Sequence, residues 1–165
     1  MTSGLTIRPA RAADEAGLGK LGALLVAEHH KFDALRFVAP KPDTPRAYGR
    51  FLASQVGDPD KLLLAAERDG ALAGYAFAGI EGFDYMALRG PAGVLYDLVV
   101  APGHRRQGIG SALLDAVFAG LAERGAPRVL LSTAEKNHGA QAMFAAAGFR
   151  RTMIEMTREL PGGGA

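Results

Sequence analysis

The stretch Arg105-Arg106-Gln107-Gly108-Ile109-Gly110 decides the fold. It follows an apolar run over residues 94–100. After it Ile109, Leu113, Leu114, Val117, Phe118 and Leu121 recur at helical spacing, with Gly125 at a C-cap position. A strand, a glycine-containing turn and a helix start, in that order, make an anion-binding device. The helix N-terminus leaves backbone N–H groups unpaired and carries partial positive charge. Gly108 and Gly110, having no Cβ, let a ligand approach the main chain closely.

Two nucleotide loops are excluded by the residues present. The third glycine of a dinucleotide fingerprint would fall on Leu113, and no acidic residue stands in the right place downstream. A Walker-type loop needs Lys after its second glycine, and none follows Gly108 or Gly110. The string does match R-x-x-G-x-G, through Arg105, Gly108 and Gly110. Downstream, Asn137-His138-Gly139-Ala140-Gln141-Ala142-Met143-Phe144 is followed by Gly148-Phe149, and Thr6-Ile7-Arg8-Pro9-Ala10 stands near the start.

In these segments and their separations the chain resembles the GNAT superfamily of N-acyltransferases. There R-x-x-G-x-G is the acyl-CoA pyrophosphate loop, and a second cofactor segment reads N-x-x-A-x-x-hydrophobe-Y-x-x-x-G-F. The usual Tyr is Phe144 here, and residues from about 32 to 89 match only in outline. The resemblance implies one α/β domain over residues 1–160, a mixed central β-sheet with a splayed central strand, flanked by helices on both faces. It implies acetyl-CoA as cosubstrate, acetyl transfer to a primary amine of a small molecule, and a possible homodimer. The cofactor would be held by main-chain groups of Arg105, Arg106, Gln107, Gly108, Ile109, Gly110 and Ser111, by freed backbone at Leu98, Val99 and Val100, and by Asn137 and Phe144. An N–H near Val99 or Val100 would polarise the thioester carbonyl.

Deprotonating the amine needs a base or a proton path, since an alkylamine near pKa ~10 is mostly protonated at neutral pH. Asp97 is the first candidate, as base or ammonium anchor, with Glu81 and Asp84 as others; a carboxylate that only accepts structural hydrogen bonds is the competing role. Several family members carry a carboxylate at the position of Tyr96, which here would orient substrate or a relay water. The family Tyr protonates the leaving sulfur, and Phe144 has no proton to give; loss of a general acid costs about 10²–10⁴-fold. Phe144 as core aromatic and Asn137 as helix N-cap are the plain alternatives. His30, Asp33, Arg36, Glu81 and Tyr85 are expected to form an acceptor wall, although a helix-terminal His and exposed charges also suit a solvated surface. Phe144 and Tyr96 leave room for another reading, a CoA-binding sensor or interaction module with little catalysis.

Composition narrows the classes. The 165 residues are 48% hydrophobic and 22% charged, as in an ordinary globular domain. Without cysteine, disulfides and a thioester intermediate on the protein are out, so attack would be direct, in a ternary complex. A formal net charge of +2 with scattered basic residues argues against nucleic acid. The histidines show no metal spacing, and no apolar run is of membrane-spanning length, so no metal, no membrane and a cytoplasmic location are expected. Local signals predict a strand over about 5–8 leading into a helix capped around Asp14 and ending near His29-His30. A second helix is expected over 44–56 with Thr44 as N-cap. A hairpin of 61–67 and 71–80 should turn at Arg68-Asp69-Gly70. Further expectations are a strand over 129–132, a helix over 137–146, a last strand over 153–160 and a disordered tail over 161–165.

Overall fold

Asp69 and Gly70 both lie at positive φ, 52° and 81°, the backbone of a tight hairpin turn. They join strand β2 (Lys61–Arg68) to β3 (Ala71–Glu81), the longest strand of the sheet. The computed structural model describes residues 4–163; the end of the expected tail, residues 164 and 165, lies outside the described residues. Strands β1 (Leu5–Pro9), β2, β3, β4 (Ala92–Val100) and β5 (Val129–Leu131) follow one another across the sheet in chain order. Neighbours from β1 to β4 are antiparallel, and β4 pairs with β5 in parallel. A parallel connection needs a crossover, which helix α3 (Ile109–Glu123) supplies.

The sheet is covered on both faces, which is why its inner strands read as nearly continuous apolar runs. On one face α3 and α4 (His138–Ala146) bury Ile109, Leu113, Val117, Leu121 and Phe144 against Leu62, Leu64, Ala76 and Leu95. On the other, α1 (Glu15–Phe32) and α2 (Thr44–Ser54) bury Leu18, Leu21 and Leu52 against Leu63, Tyr75, Phe77 and Val99. Each such fully buried leucine contributes about 1.5–3 kcal/mol. The two helices on this side approach closely because glycines face each other. A Cβ at Gly19 would collide with the Pro45 carbonyl, and one at Gly22 with the Tyr48 ring.

Two features of the sheet place the candidate site. Successive residues Phe77 and Ala78 pair with Asp97 and Leu95, so Tyr96 is an extra residue bulged out of β4. The bulge breaks the alternation, and Tyr96 and Asp97 consequently both serve the α1–α2 face. Secondly, β4 pairs with β5 only over Gly93, Val94 and Leu95, leaving the rest of that edge without a strand partner among the described residues. This is the splayed central strand.

Three local expectations are corrected. Residues 153–160 form no strand: β5 is three residues long and offers no extended partner edge, so Met153, Ile154, Met156 and Leu160 remain exposed. A strand without a ladder cannot satisfy its backbone. Asp14 stands at the N-cap of α1 but makes no side-chain cap there, because its carboxylate accepts from Arg8 at 2.8 and 2.9 Å and from the Arg11 N–H at 2.7 Å. The cap position of α2 is Asp43, while Thr44 Oγ1 accepts from the Lys41 N–H at 2.8 Å.

Candidate active site

The glycine turn emerges from β4 on the α3 face. Residues Pro102–His104 form a short 3-10 turn, Arg106 takes φ 58°, and Gly108 takes φ 80° as the residue before α3. No side chain among the described residues caps this helix, and the space around the missing Gly108 Cβ is open. The first-turn N–H groups therefore face outward without a helical partner. Gly110 matters for a different reason: a Cβ there would stand 3.2 Å from Met143 Sδ on α4, a tight contact from which the methionine would have to shift.

The side chains around the turn are mostly engaged with the protein itself. Arg105 donates to the Val100 carbonyl at 3.1 Å and pairs with Glu28, and Gln107 bonds Arg68 and the Gly103 carbonyl. Ile109 is 1% exposed and Val99 is buried, while Leu98 and Val100 pack on the α3 side. What these four residues can offer a ligand is main chain. Ser111 and Met143 line a groove of about 450 Å³ between α3 and α4.

Asn137 is the N-cap of α4, its Oδ1 accepting from the Ala140 N–H at 3.2 Å. Phe144 is buried, its ring edge-on to Phe149 at 5.7 Å, with Phe118 beyond. The residues of this face fit a phosphate-bearing cofactor, because uncapped N–H groups, an open glycine and an unpaired strand edge lie in sequence along one route.

On the opposite face of β4, Asp97 is 8% exposed and is the one buried charged residue among those described. Its Oδ2 accepts from the Tyr48 hydroxyl at 2.7 Å and the Tyr75 hydroxyl at 2.8 Å. Tyr48 can reach it because the ring lies flat against α1 over Gly22. Burial pushes the Asp97 carboxyl above its ordinary value, and the two tyrosine hydrogen bonds and His29 offset this only in part. Both phenols are in turn pushed up, first by burial and then by the Asp97 charge. A cleft of about 360 Å³ opens over Asp97, bounded by Tyr48, Phe51, Gln55, Lys61, Phe77 and Tyr96.

Tyr96 donates to Glu81 Oε1 at 2.7 Å, and burial followed by that bond raises its phenol. Glu81 also pairs with Arg89, which lies 3.9 Å from Asp84. The structure thus brings Tyr96, Asp97 and Glu81 together. Neither Glu81 nor the rest of the expected wall is among the residues that line the cleft. His30 Nδ1 is bonded to the Phe37 carbonyl at 3.0 Å, Asp33 Oδ1 accepts from the Leu35 and Arg36 N–H groups at 3.1 Å, and Arg36 pairs with Glu155. Tyr85 is 78% exposed and stacks on Phe83.

Sequence reasoning missed Tyr48, Tyr75, Phe51, Phe77 and Lys61. The one available signal was the pair Gly19 and Gly22 on α1, whose spacing marks a face where something packs unusually close.

Known proteins agree with this architecture. The profile of the acetyltransferase (GNAT) family matches residues 23–149. An uncharacterised N-acetyltransferase of Mycobacterium tuberculosis is 34% identical over 113 residues, which are 68% of this chain and 67% of that protein. The mycothiol acetyltransferase of Clavibacter sepedonicus is 39% identical over 99 residues; these are 60% of this chain but 30% of the relative's length. Among solved structures, a predicted acetyltransferase from Clostridium acetobutylicum, crystallised with acetyl-CoA, superposes with a TM-score of 0.71 at 17% identity, covering 93% of this chain and 96% of that one. With the glycine turn, the splayed strand and the Asn137 segment in their places, the chain belongs to the acetyltransferase (GNAT) family.

Proposed function

We propose that this protein is an acetyl-CoA-dependent N-acyltransferase that acetylates a primary amine of a small molecule by direct attack within a ternary complex. The observation that carries the reading is the position of β4. Its unpaired edge leads to the glycine turn, and its bulged residues Tyr96 and Asp97 open into the cleft on the other face. One strand thereby connects a cofactor route to an acceptor route.

When bound, acetyl-CoA supplies the thioester carbonyl that the amine attacks and the thiolate that departs. The chain's own part is anchoring, polarising and moving a proton. N–H groups of residues 106–111 hold the pyrophosphate, and the free edge of β4 at Leu98, Val99 and Val100 takes the amide-bearing arm. An N–H on that edge polarises the carbonyl, a contribution of about 2.7–4 kcal/mol for one oxyanion donor. Asp97, with its carboxyl raised by burial, is a better proton acceptor than an ordinary aspartate and receives the ammonium proton. Tyr96 is less suited to that task, because its hydroxyl proton is committed to Glu81. Phe144 leaves the departing thiolate to take its proton from water.

A second reading, a CoA-binding sensor, is favoured by one observation: Phe144 sits in the core with no hydroxyl where the family has one. The two readings separate on calorimetric titration with acetyl-CoA followed by thiol release across an amine panel. Parent protein is expected to bind acetyl-CoA and release thiol only when amine is present. Gly108→Trp, bulky at φ 80°, is expected to weaken binding by about 100-fold or more through two lost charge-assisted hydrogen bonds. Binding without acceptor-dependent release supports the sensor, and no binding by folded parent removes both.

A further inference from the structure

The cleft over Asp97 has a chemical polarity that the transfer reaction does not need. Asp97 lies at one end, held by Tyr48. From there the aromatic rings run in succession, Tyr48 to Phe51 at 6.3 Å, Phe51 to Phe77 at 5.8 Å and Phe77 to Tyr96 at 5.0 Å between centroids. Lys61 lies across β3 from Asp97, since it pairs with Gly79, two residues beyond the Phe77 that pairs with Asp97, and its Nζ stands 5.0 Å from the Tyr96 ring centre and 3.4 Å from its hydroxyl oxygen.

Lys61 has no carboxylate within ion-pair distance among the described residues. The carboxylate next along the chain of contacts, Glu81, is already shared between the Tyr96 hydroxyl and the Arg89 guanidinium. The half-buried ammonium of Lys61 is thus met by the Tyr96 hydroxyl and ring but by no carboxylate among the described residues, and it is part of the cleft wall.

A simple hydrophobic amine would satisfy Asp97 and the ring faces but would leave that ammonium unpaired. It would also feel the repulsion of Lys61. A ligand with an anion at the end remote from its amine satisfies both ends at once.

We infer that the cleft selects a primary amine whose apolar body carries an anionic group, carboxylate or phosphate, which Lys61 reads. The inference rests on the amine-acceptor reading above and names its substrate class. Lysine is a point charge rather than a bidentate fork, so either anion suits it. The aromatic walls favour a flat or aliphatic spacer over a polyhydroxylated one.

The test compares phenethylamine with its para-carboxylate and with tyramine phosphate. Each is measured as an acceptor with acetyl-CoA and, independently of turnover, by equilibrium binding to protein saturated with CoA. The anionic amines are expected to exceed phenethylamine by about tenfold in kcat/KM and in affinity. The larger of the two ratios identifies the anion. Lys61→Met should bring the ratio to about one, and Lys61→Arg, which keeps the charge and tests packing, should retain most of it. A parent ratio near one, a ratio preserved in Lys61→Met, or no binding of any of the three compounds overturns the inference. Acetylation without an anion preference leaves the transferase reading standing and removes this one. A Lys61-dependent preference in binding without acetylation does the reverse.

Discussion

On the α3 face the turn proposed to hold the cofactor's phosphates comes from consecutive residues, Arg105 through Ser111, and the groups it would offer are main-chain N–H donors. On the α1–α2 face the cleft is assembled from α2, β2, β3 and β4, and its useful groups are side chains: Asp97, the aromatic rings and Lys61. The first needs only a strand end, a residue tolerant of positive φ and a helix start. The second needs two helices to pack closely enough for Tyr48 to reach a carboxylate on a strand beneath them. A main-chain site survives wide change in surrounding side chains, whereas a side-chain site is set by every element that contributes to it. One strand, β4, serves both, and its bulge at Tyr96 divides the two roles.

The sharpest way to break this division is at Asp97. Asp97→Asn keeps an oxygen for Tyr48 and Tyr75 but removes the proton acceptor, so kcat should fall about 10²–10⁴-fold while acetyl-CoA affinity stays at the parent value. Stopped-flow thiol detection beside calorimetry reads both. Activity within a few-fold of parent would leave Asp97 a purely structural carboxylate.

Packing offers the next test. Gly19→Ala forces a Cβ into the Pro45 carbonyl and should cost about 1–3 kcal/mol, seen as a lower melting temperature. Since the strain falls on the α1–α2 face, folded Gly19→Ala protein should titrate acetyl-CoA as the parent does. A parallel loss of affinity would mean that the faces are coupled.

A smaller effect, with a pH signature, is expected from Tyr75→Phe. Losing that hydrogen bond should cost about 1 kcal/mol at neutral pH. The bond lowers the Asp97 carboxyl, so removing it raises the carboxyl further and shifts the acidic limb of the kcat profile upward. Asp97 already holds its proton more tightly folded than unfolded. Its contribution to stability is therefore fully present below the unfolded carboxyl range and is lost as pH rises through the folded value. Tyr75→Phe widens that window, so its stability deficit should be larger at neutral than at acid pH, as denaturant melts at two pH values would show.

An effect of similar size, without a pH signature, belongs to Asn137→Ala, which removes the α4 cap and should cost about 1 kcal/mol. Thermal melting measures that loss. Any change in acetyl-CoA affinity beyond it would give Asn137 a role in holding the cofactor as well.

Legibility followed the same division. Gly108, the helix it introduces, the Asp69-Gly70 turn and the Asn137 cap all rest on interactions within a few residues, and each was readable. The expected strand over 153–160 looked equally plain, but strand formation depends on a distant partner, and β5 ends after three residues. The expected acceptor wall rests on sequence proximity in the same way. His30, Asp33 and Arg36 cluster in sequence, yet their polar atoms close the turn after α1 or meet Glu155. The cleft uses Lys61 and Phe51, whose nearness to Tyr96 no local pattern encodes.

By itself, the sequence determined the strand, glycine turn and helix over residues 94–121, the Asp69-Gly70 hairpin with its positive φ, and the absence of any thiol, because these depend on local stereochemistry and composition. Only the tertiary structure decided that Tyr96 bulges, that Asp97 is buried beneath two tyrosines, and that Lys61 is left without a carboxylate at the end of an aromatic row. Burial, register and charge compensation are properties of neighbours, and neighbours far apart in the chain exist only once the sheet and both helix layers have closed around them.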